Sequence, residues 1–262
     1  MEKLTIVKIG GNVIDNSKAL HDFLRDFSAI PGKKILIHGG GKIATELSGK
    51  LGIEAQMVEG RRITDIETLR VVTMVYAGLI NKNIVAQLQW VNCNAIGLTG
   101  ADGNIIKAQK RPVKEIDYGY VGDLDDSSVS SKMLNNLLEG GFVPVFCAIT
   151  HDREGQLLNT NADTIAAVIA VAMSTQYQTE LVYCFEKKGV LKDVTDDTTV
   201  IRTVKSSQFE NLKADGTIAG GMVPKLQNAF DAIHKGVTAV YIGKADELPM
   251  LNKGIFGTRM EA

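Results

Sequence analysis

Lys8 closes the apolar segment Leu4-Thr5-Ile6-Val7-Lys8-Ile9 and is followed by Gly10-Gly11-Asn12. An ammonium at the mouth of a buried strand is costly unless an anion accompanies it. A second glycine-rich turn, His38-Gly39-Gly40-Gly41-Lys42, ends another apolar run and leads into a helical pattern. Glycine lets a backbone approach a ligand closely, and the free amides at a helix start carry positive potential. Tight strand-to-helix turns use glycine in any case, but two such loops favour anion binding, with phosphate the natural ligand. Farther on, Gly220-Gly221-Met222-Val223-Pro224-Lys225 sets a second lysine at a helix start, with Pro224 suited to the first turn. A cation there is electrostatically unfavourable unless an anion lies between. Two such lysines suit a phosphoryl group in transfer, whose charge spreads over its oxygens.

Other residues have the chemistry to hold the rest of a substrate. Asn159-Thr160-Asn161-Ala162-Asp163 opens a helix. Asn161 can cap it and Asp163 complements the dipole, yet two amides and a carboxylate within five residues exceed what a cap needs. Arg61-Arg62 follows Gly60, and a guanidinium there can grip a carboxylate in bidentate fashion, although a solvated basic turn would read the same. The nucleotide motif G-x-x-x-x-G-K-[ST] is absent, because Gly41-Lys42 is followed by Ile43. Gly39-Gly40-Gly41-Lys42-Ile43-Ala44 does fit a short dinucleotide pattern, with Glu59 about 20 residues on. That pattern recurs by chance and leaves Lys8 and the first glycine pair unexplained. The histidines (His21, His38, His151, His234) have no metal-ligand spacing, and no protein-bound metal site is indicated.

These residues need elements to position them. Near-continuous apolar runs at 4–9, 34–38, 95–99, 143–148, 180–185 and 239–242 read as strands buried on both faces. Helical patterns lie between them. Thr64-Asp65-Ile66-Glu67 reads as a capping box, with Thr64 as the cap and Ile66, Leu69 and Val72 on the buried stripe. Leu226, Ala229, Phe230 and Ile233 keep helical spacing, and Gly236 ends that helix. The alternation argues for an open, mostly parallel α/β sheet with helices on both faces, whose ligand sits at the carboxyl ends of the strands. The polar stretch 100–126, with turns at Asp102-Gly103 and Tyr118-Gly119, is expected to form hairpins at the sheet edge. The weakest internal boundary falls near 175–179.

The chain carries 29 Lys+Arg against 30 Asp+Glu, a balance that disfavours nucleic-acid binding. The longest strongly apolar run, Ile165 to Met173, is short of a membrane span. The amino terminus has no signal-peptide pattern, so cytoplasmic residence is expected. Cys93, Cys147 and Cys184 are widely spaced and read as buried free thiols.

Seven blocks occur in the order found in N-acetylglutamate kinases. They are 8–11, 38–41, 60–65, 97–103, 120–123, 159–163 and 220–225, and together the resemblance spans nearly the whole chain. The chain is similar to members of the amino-acid kinase superfamily. The resemblance implies a three-layer αβα sandwich around a mostly parallel sheet of about eight strands, one amino-acid kinase domain over 1–262. Its lobe 1–175 would bind the acylated amino acid and a dimer partner, and its lobe 176–262 would bind ATP, with Mg2+ carried by the nucleotide. Lys8 and Lys225 would stabilise the transferring phosphoryl group, and Asp163 would hold the two lysines. Gly10 and Gly11 would border the nucleotide, with Gly11 and Gly40 donating amides to the phosphate. Arg62 would hold the substrate α-carboxylate, with Gly39, Gly40, Asn159 and Asn161 near the acyl-amino acid.

The chain departs from these relatives at Glu186, where they usually carry Asp and where the nucleotide contacts fall, and at Arg61, often apolar in them. A second guanidinium suits a longer acidic acyl group such as succinyl, or a solvated turn. The chain starts directly at its first strand, without the helix of arginine-inhibited hexameric relatives, so an arginine-insensitive homodimer is expected. The reaction implied is phosphorylation of the side-chain carboxylate of an N-acylglutamate in arginine biosynthesis. The alternatives are a kinase for another carboxylate such as carrier-bound aminoadipate, a dinucleotide-dependent oxidoreductase, and a catalytically silent nucleotide-binding regulator.

Overall fold

A computed structural model describes the chain except for residues 59–60, 215 and 219–221. Glu59 and the glycines Gly60, Gly220 and Gly221 of two of the motifs therefore lie outside the described residues. The first half comprises β1 (Lys3–Ile9), α1 (Gly11–Ile14), α2 (Ser17–Ser28), β2 (Lys33–His38), α3 (Gly41–Lys50), β3 (Met57–Val58), β4 (Arg61–Arg62), α4 (Ile66–Thr73), α5 (Asn81–Trp90), β5 (Ala95–Leu98), β6 (Gln109–Lys110) and β7 (Val121–Asp123). Then follow α6 (Ser131–Glu139), β8 (Val143–Cys147), β9 (Ile149–His151), β10 (Leu157–Thr160), α7 (Ala162–Met173), β11 (Gln178–Phe185), β12 (Thr203–Lys205), α8 (Ser206–Ala214), α9 (Met222–His234), β13 (Ala239–Lys244) and β14 (Thr258–Glu261).

Eight strands form the main sheet in the order β12-β14-β13-β11-β1-β2-β8-β5. The six from β13 to β5 run parallel, and β14 with its parallel neighbour β12 runs against them. β1 lies at the centre, and Leu4 to Ile9 are all buried, because helices cover both faces. α6, α7 and α9 pack on one side. α2, α5 and the short-pitch run Ala245–Lys253 pack on the other. The result is the three-layer α/β sandwich expected. The sheet crosses the expected 1–175/176–262 boundary without interruption, since Lys3 to Ile9 pair with Gln178 to Cys184. All three cysteines are free and buried.

Two readings of the sequence need correction. Asp65, not Thr64, caps α4, accepting from the Thr68 amide at 2.7 Å, which holds the Asp65 carboxyl below its usual range. Thr64 is unavailable because its backbone bonds to Tyr118 and Tyr120 in a strand-like bridge. The helix therefore starts one residue later, Glu67 pairs with Arg70, and Ile66 is exposed while Leu69 and Val72 are buried. The polar stretch 100–126 forms the β6–β7 hairpin of a separate four-stranded sheet, β6-β7-β10-β9, rather than an edge of the main one. Parallel pairing of β7 with β10, the strand that carries Asn159, ties the hairpin into this second sheet instead of the main one.

Residues Ile66–Trp90 form one 25-residue helical rod, long and apolar enough by composition to cross a bilayer. Here Val72, Val75, Ile84 and Leu88 are buried in the core. Its middle, Met74–Ile80, is wound as a π-helix, a feature that often marks functional positions.

His38, at the end of β2, is fully buried. Its Nδ1 donates to the Gly39 carbonyl at 2.8 Å, and Asn81 Nδ2 lies 3.0 Å from Nε2 and 2.9 Å from the Val145 carbonyl. The ring is thus a neutral tautomer, and burial lowers its pKa from 6.5 to about 4. The unfolded chain binds the extra proton between those values, so stability is fully present above pH 6.5 and is lost as pH falls toward 4. The loss should total about 3 kcal/mol at ~1.4 kcal/mol per pH unit. Urea unfolding of wild type and His38→Gln at pH 7 and pH 5 checks this. The wild type should lose more stability on acidification than the variant, and equal losses would refute the assignment.

Candidate active site

Because β1, β2, β11 and β13 run parallel, their carboxyl ends share one edge of the sheet. There Lys8 Nζ lies 2.7 Å from Asp163 Oδ1, with Asp163 in the first turn of α7. Asn161 starts that helix by accepting from the Thr164 amide at 3.0 Å. The hydroxyl of Tyr183, the register partner of Lys8, donates to the Asp163 carbonyl at 3.2 Å. Burial pushes the Tyr183 phenol far up, so it stays a neutral donor. The sequence therefore places Asp163 on a helix start, and the sheet register aims it at Lys8.

Lys225 reaches the same place from the first turn of α9. Its Nζ sits 4.0 Å from the centre of the Phe185 ring, and Lys8 Nζ sits 5.6 Å from the same ring. One aromatic ring thus holds two ammonium groups, attracted by its electron-rich face. Tyr183 stacks on Phe185 at 6.0 Å. Sequence reading missed Phe185. The only signal was an aromatic one residue before Glu186 at a strand end, which a buried core strand would carry equally.

Beside the lysines opens a cleft of about 920 Å³, lined by Gly10, Gly11, Phe185, Glu186, Lys225 and Lys244 among others. A Cβ at Gly10 or Gly11 would meet only ordinary contacts, at 3.6 Å and 3.8 Å. Glycine there is not demanded by packing and instead leaves backbone accessible from the cleft. Glu186 is exposed at its edge. Asp15 lies against Gly11, and burial raises its carboxyl although Lys42 at 3.9 Å opposes the shift.

A second group of residues gathers on the β2 side. Arg62 is buried, and its Nη2 donates to the Gly41 carbonyl at 2.9 Å and to Thr45 Oγ1 at 2.7 Å. Its Nη1 is buried with no hydrogen-bond partner among the described residues. Arg61 points away and is exposed. Asn159 Nδ2 donates to Thr64 Oγ1 at 3.0 Å, which ties β10 to the segment after Arg62. Gly40 has φ +150°, and a Cβ there would fall 2.2 Å from Ile80 Cδ1, so only glycine fits. Gly39 has open space where a side chain would project. Among the described residues, no three His, Cys, Asp or Glu side chains cluster as metal ligands.

Lys225 lines the cleft, Lys8 lies across the Phe185 ring from it, and Arg62 is buried on the β2 side. Residues 3–244 match the amino acid kinase family, and the chain belongs to it. It is 56% identical to the acetylglutamate kinase of Cytophaga hutchinsonii, with all of both chains covered. It is 54% identical to the acetylglutamate kinase of Bacteroides thetaiotaomicron over 99% of each. Among solved structures, the N-acetylglutamate synthase of Neisseria gonorrhoeae superposes with a TM-score of 0.81 at 20% identity, covering 99% of this chain and 59% of that one. At that identity the likeness is one of fold.

The ring between the lysines should matter to rate. Phe185→Leu keeps an apolar side chain and removes the π face, a loss of about 1–2 kcal/mol for a desolvated contact. Single-turnover phosphoryl transfer should slow roughly 5- to 30-fold, with Phe185→Tyr close to wild type. Equal rates in all three proteins would show the ring to be filler.

Proposed function

We propose that this chain transfers the γ-phosphoryl group of ATP to the side-chain carboxylate of N-acetyl-L-glutamate, a step of arginine biosynthesis. The observation that carries the reading is the pairing of Lys8 with Asp163 and the approach of Lys8 and Lys225 to one ring, Phe185, at the edge of the cleft, in a chain 56% identical to an acetylglutamate kinase. No oxidoreductase stands among the relatives described above, and the glycine loop after β2 faces Arg62.

In this reading ATP enters the cleft with magnesium bound to its phosphates as part of the substrate. Gly10, Gly11 and Glu186 border the nucleotide, and the amides of Gly11 and Gly40 face its phosphates. Arg62 takes the substrate α-carboxylate, with Gly39, Asn159 and Asn161 around the acyl-amino acid. A side-chain carboxylate oxygen attacks the γ-phosphorus, the bond to the β–γ bridging oxygen breaks, and ADP leaves an acyl phosphate behind. The nucleophile is ionised at neutral pH, since its pKa is near ~4.3, and no general base is needed. His38 could not serve as one, being locked between Gly39 and Asn81. Lys8 and Lys225 neutralise charge that grows on the phosphoryl oxygens, while Asp163 fixes Lys8 and keeps it from collapsing onto the product. We further place the chain in the cytoplasm as a homodimer. The exposed Met74 and Leu79 on the helical rod suit a second copy. Residues 1–175 hold the acyl substrate and 176–262 most of the nucleotide, with the glycine loops after β1 and β2 reaching its phosphates.

Acyl-phosphate formation, trapped as hydroxamate, tests the proposal with ATP and either N-acetylglutamate or N-succinylglutamate at matched concentration. Robust ATP-dependent product with N-acetylglutamate is expected, whereas silence from folded protein that binds ATP would sink it. Lys8→Ala should lower kcat about 10²- to 10³-fold, the usual cost of one preorganised charge-stabilising donor. Its KM for the acyl substrate should change little.

A further inference from the structure

The corner around Arg62 has a buried donor without an acceptor among the described residues. Arg62 Nη2 is satisfied by Gly41 and Thr45, while Nη1 is buried without a partner among the described residues. Tyr76 stands next to it. Its side chain is buried, and its hydroxyl and Arg62 Nη2 each lie 3.9 Å from where a Cβ on Gly41 would be. Burial pushes the phenol pKa up and the adjacent guanidinium opposes this, so the phenol is neutral. A guanidinium has only donors, so a phenol oxygen beside it turns its lone pairs toward the cation and its proton away. Among the described residues no acceptor for that proton is found.

The backbone is built to bring Tyr76 here. It lies in the π-wound stretch Met74–Ile80, and its ring edge packs against Gly40, where a Cβ would approach Tyr76 Cδ1 to 3.1 Å. A regular helix turns 100° per residue, and the wider π turn rotates the residues after it by part of a turn. The local departure from regular winding coincides with the residues that close on the glycine loop.

A buried guanidinium nitrogen without an acceptor among the described residues, beside a neutral phenol whose proton is turned away from it, fits a single carboxylate with two oxygens. We propose that Tyr76 is a substrate-binding residue whose phenol proton, together with Arg62 Nη1, holds the α-carboxylate of the acylglutamate. This rests on the reading of the chain as a kinase for that substrate. Tyr76 and Arg62 select for an α-carboxylate over a neutral group, because an amide in its place would set its own donors against theirs.

The test is Tyr76→Phe, which keeps the ring against Gly40 and removes one oxygen. Steady-state kinetics would be measured with N-acetylglutamate and with its α-carboxamide analogue, alongside thermal unfolding. For the variant, KM for N-acetylglutamate should rise about tenfold, the size of one hydrogen bond to a charged group. KM for ATP and Tm should stay near wild type. With the α-carboxamide the rise should be clearly smaller, because a neutral amide oxygen accepts a weaker hydrogen bond from the phenol than a carboxylate does. An unchanged KM for N-acetylglutamate would overturn the proposal. So would an equal rise with both substrates, which marks a packing role. A wild type that turns over no acylglutamate at all overturns the underlying reading instead, and is told apart from these by the wild-type assay alone.

Discussion

An ammonium held at the end of a strand covered on both faces governs the layout of this molecule. Lys8 is buried on the central strand, and its charge is met by one carboxylate, Asp163, that is itself partly open to solvent. A pair so placed keeps Lys8 extended toward the sheet edge without fully neutralising the region, because Lys225 adds a second cation across Phe185. Among these three groups one positive charge is left over, which an anionic group can offset. Each neighbouring element serves this arrangement. α7 begins on Asn161 so that Asp163 falls in its first turn, Tyr183 holds the Asp163 backbone, and the glycine loops after β1 and β2 keep side chains out of the approach.

The site divides by the kind of polar group each side supplies. On the β11 and β13 side the open cleft is bordered by the glycine backbone after β1, by Lys225 and Lys244, and by the carboxylates of Glu186 and Asp246. On the β2 side Arg62 is buried and fixed through Nη2, while its Nη1 has no hydrogen-bond partner among the described residues. Oriented donors of that kind discriminate, since a ligand without the matching acceptors leaves them unpaired at a cost of about 1–3 kcal/mol. The same β2 side also carries His38, whose neutral ring ties the Gly39 carbonyl to Asn81 of the helical rod. The glycine loop is thus anchored from behind by His38 and packed from the side by Tyr76 and Ile80.

Much of this was legible before any coordinates. The six buried strands announce themselves because parallel strands are covered on both faces and so become continuously apolar, and the observed ends fall within one or two residues of those expected. Lys8, Asp163 and Lys225 stand out because charges at element ends demand a reason. The Thr64 cap was misread because a capping motif describes only four residues. Thr64 is instead held by Tyr118 and Tyr120, more than fifty positions away. The β6–β7 hairpin was recognised from its turns, but its sheet was not, since strand partners are chosen by tertiary contact.

Local chemistry, then, is what the sequence by itself determined: which residues can cap, which runs must be buried, and which glycines precede helices. Element type follows from side-chain period and backbone freedom, both local properties. Which groups meet was decided only in three dimensions. Phe185 lies forty residues from Lys225, and Tyr76 fourteen from Arg62 on a different element. Parallel register and a stretch of π winding, neither of which leaves a mark in residue types, bring each pair together. Such contacts depend on sub-ångström placement of rigid elements against one another, and that is set by the packing of the whole core.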